Sequence, residues 1–108
     1  MSEEKHAFEN PATRDLEFDL GEAGPGQSMV FSMSKSVFIQ VMDEENFKKY
    51  AANEEFTAFR GQIHSSPHRF KFPRKAHWFC VVTPSTFFGV SDFKVRVMSD
   101  AVLDSKIW

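Results

Sequence analysis

The chain predicts an all-β fold, a single antiparallel β-sandwich or jelly roll of about seven or eight strands with one short helix after the third strand. Three observations carry this. Short runs of alternating or continuous apolar residues recur along the chain, each bounded by Gly, Pro, Ser or Asp. Thirteen phenylalanines in 108 residues supply large, strand-favouring core material. Nothing between the strands is long enough to be a crossover helix, which excludes a parallel α/β sheet.

Length argues for one domain. Its expected body runs from Asp15 to Met98. Met1 to Arg14 reads as a polar arm, because Asn10-Pro11 interrupts any helix and no apolar stripe precedes it. Phe8 is its one large apolar anchor. Leu16, Phe18 and Leu20 then alternate with Glu17 and Asp19, a half-buried strand with an acidic outer face. Gly21 to Gly26, with Pro25, is expected to turn the chain. Gln27 to Met33 is the second strand. After Ser34-Lys35-Ser36, the run VFIQVM at Val37–Met42 is apolar enough for a strand covered on both faces.

Asp43 to Ala52 changes character. Asp43 suits an N-cap, Glu44 and Glu45 suit a first helical turn, and Phe47 and Tyr50 share one face. Phe56 to Phe59 reads as a short strand ended by Arg60-Gly61. Ser66 to Val82 reads as two strands in a hairpin turning at Pro73-Arg74-Lys75-Ala76, the first with Phe70 and Phe72 opposite Arg69 and Lys71. Phe93, Val95 and Val97 alternate with Lys94 and Arg96 in the last strand. Ser99 to Trp108 forms a tail, either a capped helical turn or extended chain, whose Ile107 and Trp108 make an apolar anchor for a partner or a second copy.

Charge is unevenly spread although the net value is only -2. Met1 to Glu22 is dominated by acids, whereas Phe56 to Trp78 holds Arg60, Arg69, Lys71, Arg74 and Lys75 with no acid. Such asymmetry marks either an interaction face or two halves that neutralise each other on folding. One cysteine rules out an intramolecular disulfide. The acidic, polar N-terminus does not resemble a signal peptide, and no apolar run is long enough to span a bilayer. A cytoplasmic location is expected, with no membrane association.

Catalytic constellations are weak. His64, His68, His77 and Cys80 contain zinc-ligand types. On a strand, however, His77 and Cys80 point to opposite faces, so they do not converge. Cys80 lies in an apolar run, where a thiol is inert. Asp43, Glu44 and Glu45 are explained by a helix start, and Gly21 to Gly26 lacks the lysine and hydroxyl of a phosphate loop. No cofactor, metal or enzymatic activity is expected. Arg60, Arg69, Lys71, Arg74, Lys75 and His77 remain as candidate ligand contacts, for a small molecule or glycan or, less favoured, for nucleic acid. The rings beside these cations alternate inward rather than forming an exposed stacking platform.

FDLG at Phe18–Gly21, Gly26, VMDEENFKKY at Val41–Tyr50, Arg60-Gly61, Ser66-Pro67, Pro73, His77-Trp78-Phe79 and Val95-Arg96-Val97 occur in the order seen in a small bacterial family. The chain resembles domain of unknown function 1883 over Leu16 to Met98. The resemblance implies an all-β sandwich without an established activity. Some members are joined to TIR-type signalling domains, which implies a sensing or adaptor module in defence. The arrangement also resembles pre-peptidase C-terminal domains, jelly-roll accessory modules that assist rather than catalyse. Two loops depart from the family pattern. Asn53 to Gly61 lacks its basic, histidine-containing run, and Thr83 to Gly89 lacks its glycine-rich stretch. If the family uses those loops for an anionic ligand, that ligand is not expected here.

These readings converge on a non-catalytic binding module with a protein partner or a homo-oligomer. A nucleic-acid-binding domain using residues 60–75 is the alternative, and a small metal- or thiol-dependent enzyme the second.

Overall fold

Two antiparallel sheets face each other across a core that buries Phe18, Phe31 and Phe72 among aliphatic side chains and Trp78, in a computed structural model that describes residues 4–5, 7–9, 15–33, 36–64, 68–84 and 93–105. In chain order the elements are β1 (Glu4–Lys5), β2 (Ala7–Glu9), β3 (Leu16–Ala23), β4 (Gln27–Ser32), β5 (Val37–Asp43) and α1 (Glu44–Ala51). β6 (Phe59–Ile63), β7 (His68–Lys71), β8 (Ala76–Pro84), β9 (Lys94–Ser99) and α2 (Asp100–Leu103) follow. One sheet has the order β1-β9-β4-β7, the other β2-β3-β8-β5-β6. The seven strands from β3 to β9, with α1 after the third of them, form the expected all-β sandwich.

Alternation sets the inward faces. Phe18 and Leu20 of β3, Met29 and Phe31 of β4, Val37, Ile39 and Val41 of β5, and Trp78, Cys80 and Val82 of β8 are buried between the sheets. Burying that many large apolar side chains, each contributing about 1.5–3 kcal/mol, is the main force holding the layers together.

The expected helix forms where Asp43 caps it. The Asp43 carboxylate accepts from the amide of Asn46 at 3.0 Å, and Glu44 and Glu45 occupy the first turn. α1 then lies on the outer face of the five-stranded sheet. There the ring of Phe47 stacks on Phe79 at 4.0 Å, while Met42 and Val81 are buried outside the main core. Tyr50 fixes the far end of the helix, its hydroxyl donating to Asp15, which also accepts from Thr83.

Three sequence expectations need correction. β3 does not end at Leu20. It continues to Ala23 through a register shift at Asp19/Gly21, where Gly21 takes φ 74° and its amide donates to the Asp19 carboxylate. The turn is confined to Gly24–Gly26. The sixth strand spans Phe59–Ile63 rather than Phe56–Phe59, because pairing with Val37–Val41 of β5 holds Arg60 and Gly61 extended. The hairpin at Pro73 does not exist. β7 pairs with β4 and β8 pairs with β3 and β5, so Phe72 to Lys75 is a corner crossing between the sheets. Buried Phe72 and the indole of Trp78, which donates to the carbonyls of Ala23 and Arg74, anchor that corner. The N-terminal arm supplies one edge strand to each sheet, β1 against β9 and β2 against β3. The tail takes the first of its two expected forms, beginning as a capped turn, with Ser99 accepting from the amide of Ala101 and Leu103 buried. Ile107 and Trp108 lie outside the described residues.

A candidate binding cleft at the sandwich edge

The two sheets are bordered on one side by β1 and β2, which follow one another in the chain. On the other side they are bordered by β6 and β7. Between β6 and β7 the layers part into a cleft of about 200 Å³ lined by Ile39, Val41, Phe59, Arg60, Gly61, Ile63, His68 and Phe70. The register explains the lining. Phe59, Gly61 and Ile63 lie opposite Val41, Ile39 and Val37, so they share the inward face of β5. Phe70 and His68 lie opposite Met29 and Phe31 on the inward face of the other sheet. Phe59 is 51% exposed although its ring meets Phe70 at 5.4 Å and Trp78 at 6.3 Å. Phe59 thus stands half in water at the mouth of an apolar cleft.

The basic residues read from the sequence as one cluster are dispersed by the sheet crossing. Arg60 lies on the outer face of the five-stranded sheet, where it donates to Gln40 at 2.8 Å and sits over the Phe56 ring at 5.1 Å. Arg69 and Lys71 are on the outer face of the four-stranded sheet, aligned through Val30 and Ser28 with Arg96 and Met98 of β9. Arg69 is engaged there. Its guanidinium reaches Asp100 at 2.6 Å, Asp104 at 2.9 Å and Ser28 at 3.2 Å, pinning α2 to the sheet. Hydrogen bonds to Asp104 and Asp100 hold its pKa above the ordinary value.

Arg74, at the corner, pairs with Asp43 and lies over the Trp78 ring. Burial pushes the Asp43 carboxyl upward, but hydrogen bonds from Asn46 and Arg74 outweigh it and hold the group below its ordinary value. Lys75 borders a separate hollow of about 180 Å³ with Glu22 and Gln27. Lys94 and Arg96, which the sequence reading left out, share the outer face with Arg69 and Lys71. Strand parity marks that face, but only once β4, β7 and β9 are known to be neighbours.

His77 lies on the outer face of the five-stranded sheet. Its Nε2 is 2.5 Å from Asp19, and its ring stacks on Phe79 at 4.9 Å. His64 and His68 are exposed, whereas Cys80 is wholly buried, with its thiol pushed up to about 12 by burial. The four residues do not converge. No group of three or more His, Cys, Asp or Glu side chains that could hold a metal occurs among the described residues. No helix among them is long and apolar enough to cross a membrane.

Phe59, Ile63 and Phe70 were not singled out as site residues from sequence. The available signal was F-R-G-Q-I at Phe59–Ile63, an alternation whose central inward position is a glycine.

A family model described as Domain of unknown function (DUF1883) matches residues 14–101, from the residue before Asp15 into the first turn of α2. Comparison with curated proteins and with solved structures finds no match.

Proposed function

The chain belongs to the DUF1883 family, and on that footing we propose that it is a non-catalytic interaction module that binds a protein partner through the β6–β7 cleft. The observation that carries the reading is Phe59, half exposed above Ile39, Val41, Ile63 and Phe70. The size of the cleft supports a protein side chain as occupant. At about 200 Å³ it falls short of the roughly 300–1,000 Å³ that small-molecule and cofactor sites occupy. Its apolar lining offers few convergent polar groups for a sugar. Among the described residues that line it, none supplies a carboxylate or thiol beside His68 for acid–base or nucleophilic chemistry. Recognition without turnover is what a sensor or adaptor requires.

The test is selection of displayed random dodecapeptides against the full chain, with binders re-measured on Phe59→Ser. Phe59 is only half covered, so this variant is expected to melt cooperatively, somewhat below wild type. Peptides that bind the wild type and lose at least tenfold on Phe59→Ser are the expected result. A selection that yields only peptides indifferent to Phe59→Ser, or none, overturns the reading.

A further inference from the structure

We propose that the partner enters this cleft as an added β-strand: an extended, acidic segment that pairs with the free edge of β6 and lays one bulky apolar side chain into the space over Gly61. The inference rests on the cleft being the protein-binding site and specifies the partner's chemistry and mode of binding.

Gly61 is the first observation. Glycine inside a strand weakens it, and a strand glycine is ordinarily explained by a left-handed backbone or by crowding where a Cβ would lie. Neither applies. Among the described residues the left-handed glycines are Gly21 and Gly26, and a Cβ built on Gly61 meets nothing within 4 Å. Gly61 occupies the inward position between Phe59 and Ile63, opposite Ile39. What its missing side chain creates is room, on the cleft wall, at the place where an incoming side chain would lie.

The second observation is the edge itself. β6 is the last strand of its sheet, so one row of its amides and carbonyls has no strand partner among the described residues. Natural edges are ordinarily blunted by proline, lysine, bulges or cover. β6, FRGQI, has no proline or lysine, pairs with β5 without a register shift, and carries an exposed phenylalanine. Main-chain pairing at such an edge supplies affinity, and a pocket for one side chain supplies selectivity. β7 is the poorer edge, being four residues long with Arg69 committed to α2.

Charge gives the third. No acid occurs from Phe56 to Trp78. Arg69 and Arg74 are neutralised by Asp100, Asp104 and Asp43, but among the described residues Arg60, on β6, meets only Gln40, the Phe56 carbonyl and the Phe56 ring. Lys71 faces away, on the outer side of the other sheet. A segment lying along β6 therefore passes Arg60, which no carboxylate pairs among the described residues, and an acidic flank fits it.

The experiment uses the Phe59-dependent dodecapeptides from the selection above, synthesised and titrated into the isotope-labelled full chain. They are expected to be acidic around one large apolar residue and to bind more weakly as salt rises. They should slow amide exchange along Phe59–Ile63 and lose at least tenfold on Gly61→Val, with a smaller loss on Gly61→Ala. Both variants should melt at or above the wild-type temperature, since each adds a strand-favouring Cβ in open space. Phe59-dependent peptides that ignore both Gly61 variants, or that leave β6 exchange unchanged, overturn strand addition while the interaction-module reading stands. Neutral or basic winners overturn the acidic partner. Absence of any Phe59-dependent peptide overturns both readings.

Discussion

The indole Nε1 of Trp78 donates to the backbone carbonyl of Ala23, 55 residues earlier in the chain, at 3.1 Å, and at the same distance to the carbonyl of Arg74. One buried donor thus joins the end of β3 to the corner by which the chain changes sheets. Trp78→Phe keeps an aromatic body in the core but removes that donor. A loss of about 1–3 kcal/mol is expected in urea unfolding, the range for stranding buried polar groups. A wild-type midpoint would show that the corner holds without it.

Side chains also fix α2. Hydrogen bonding from Ser28 is the main cause holding the Asp100 carboxyl below its ordinary value of 3.8; burial opposes it, and Arg69 reinforces it. Because the folded-state pKa is the lower one, the stabilisation is fully present above pH 3.8 and is lost as pH falls through the folded value. Asp100→Asn should therefore be less stable than wild type at neutral pH. The gap should close in acid when the two are unfolded side by side from pH 7 to pH 2. A gap independent of pH would mean that the carboxylate's charge plays no part.

Much of this fold could be read before its structure. β3, β4 and β9 follow from the alternation of Phe18, Met29 and Val95 with their neighbours, β5 and β8 from the near-continuous apolar runs around Val41 and Cys80, and α1 from Asp43 and the acidic turn after it. Partnership could not be read in the same way. Arg69-Phe70-Lys71-Phe72-Pro73 has the same local pattern whether the next strand returns beside it or crosses to the opposite layer, and only Phe72 closing the core and Trp78 reaching Ala23 decide between them. For that reason the five cations looked like one patch and occupy three places. The cleft was hidden by the same ambiguity, since Arg60-Gly61 resembles a turn until Val37–Val41 is known to lie alongside.

Gly24 makes a contrast with Gly61. A Cβ at Gly24 would lie 2.9 Å from the Cα of Lys75, a backbone atom that cannot step aside without moving the corner. Gly24→Ala should cost about 1–3 kcal/mol, as overpacking does, read as a lower midpoint in thermal or urea unfolding. An unchanged midpoint would mean that β3 and the corner separate freely.

Cys80 tests the absence of thiol chemistry. Burial pushes its pKa up to about 12, so almost no thiolate exists at neutral pH. An aromatic disulfide reagent should leave native protein unmodified and titrate one thiol in denaturant. Rapid labelling of native protein would place Cys80 within reach of solvent and reopen a nucleophilic role.

The sheet-crossing corner also dictates when this chain can fold. Apart from β2 with β3 and β5 with β6, every pairing joins strands separated by at least one intervening strand, and β8 sits between β3 and β5. A ribosome that has released everything up to Lys75 has therefore delivered two outer portions of the five-stranded sheet without the strand that unites them. It has also delivered β4 and β7 without β9. Such a topology closes late and in one step, because long loops must be ordered before any contact rewards them. Until then the phenylalanine-rich runs are exposed on the nascent chain, the state in which chaperones are needed most.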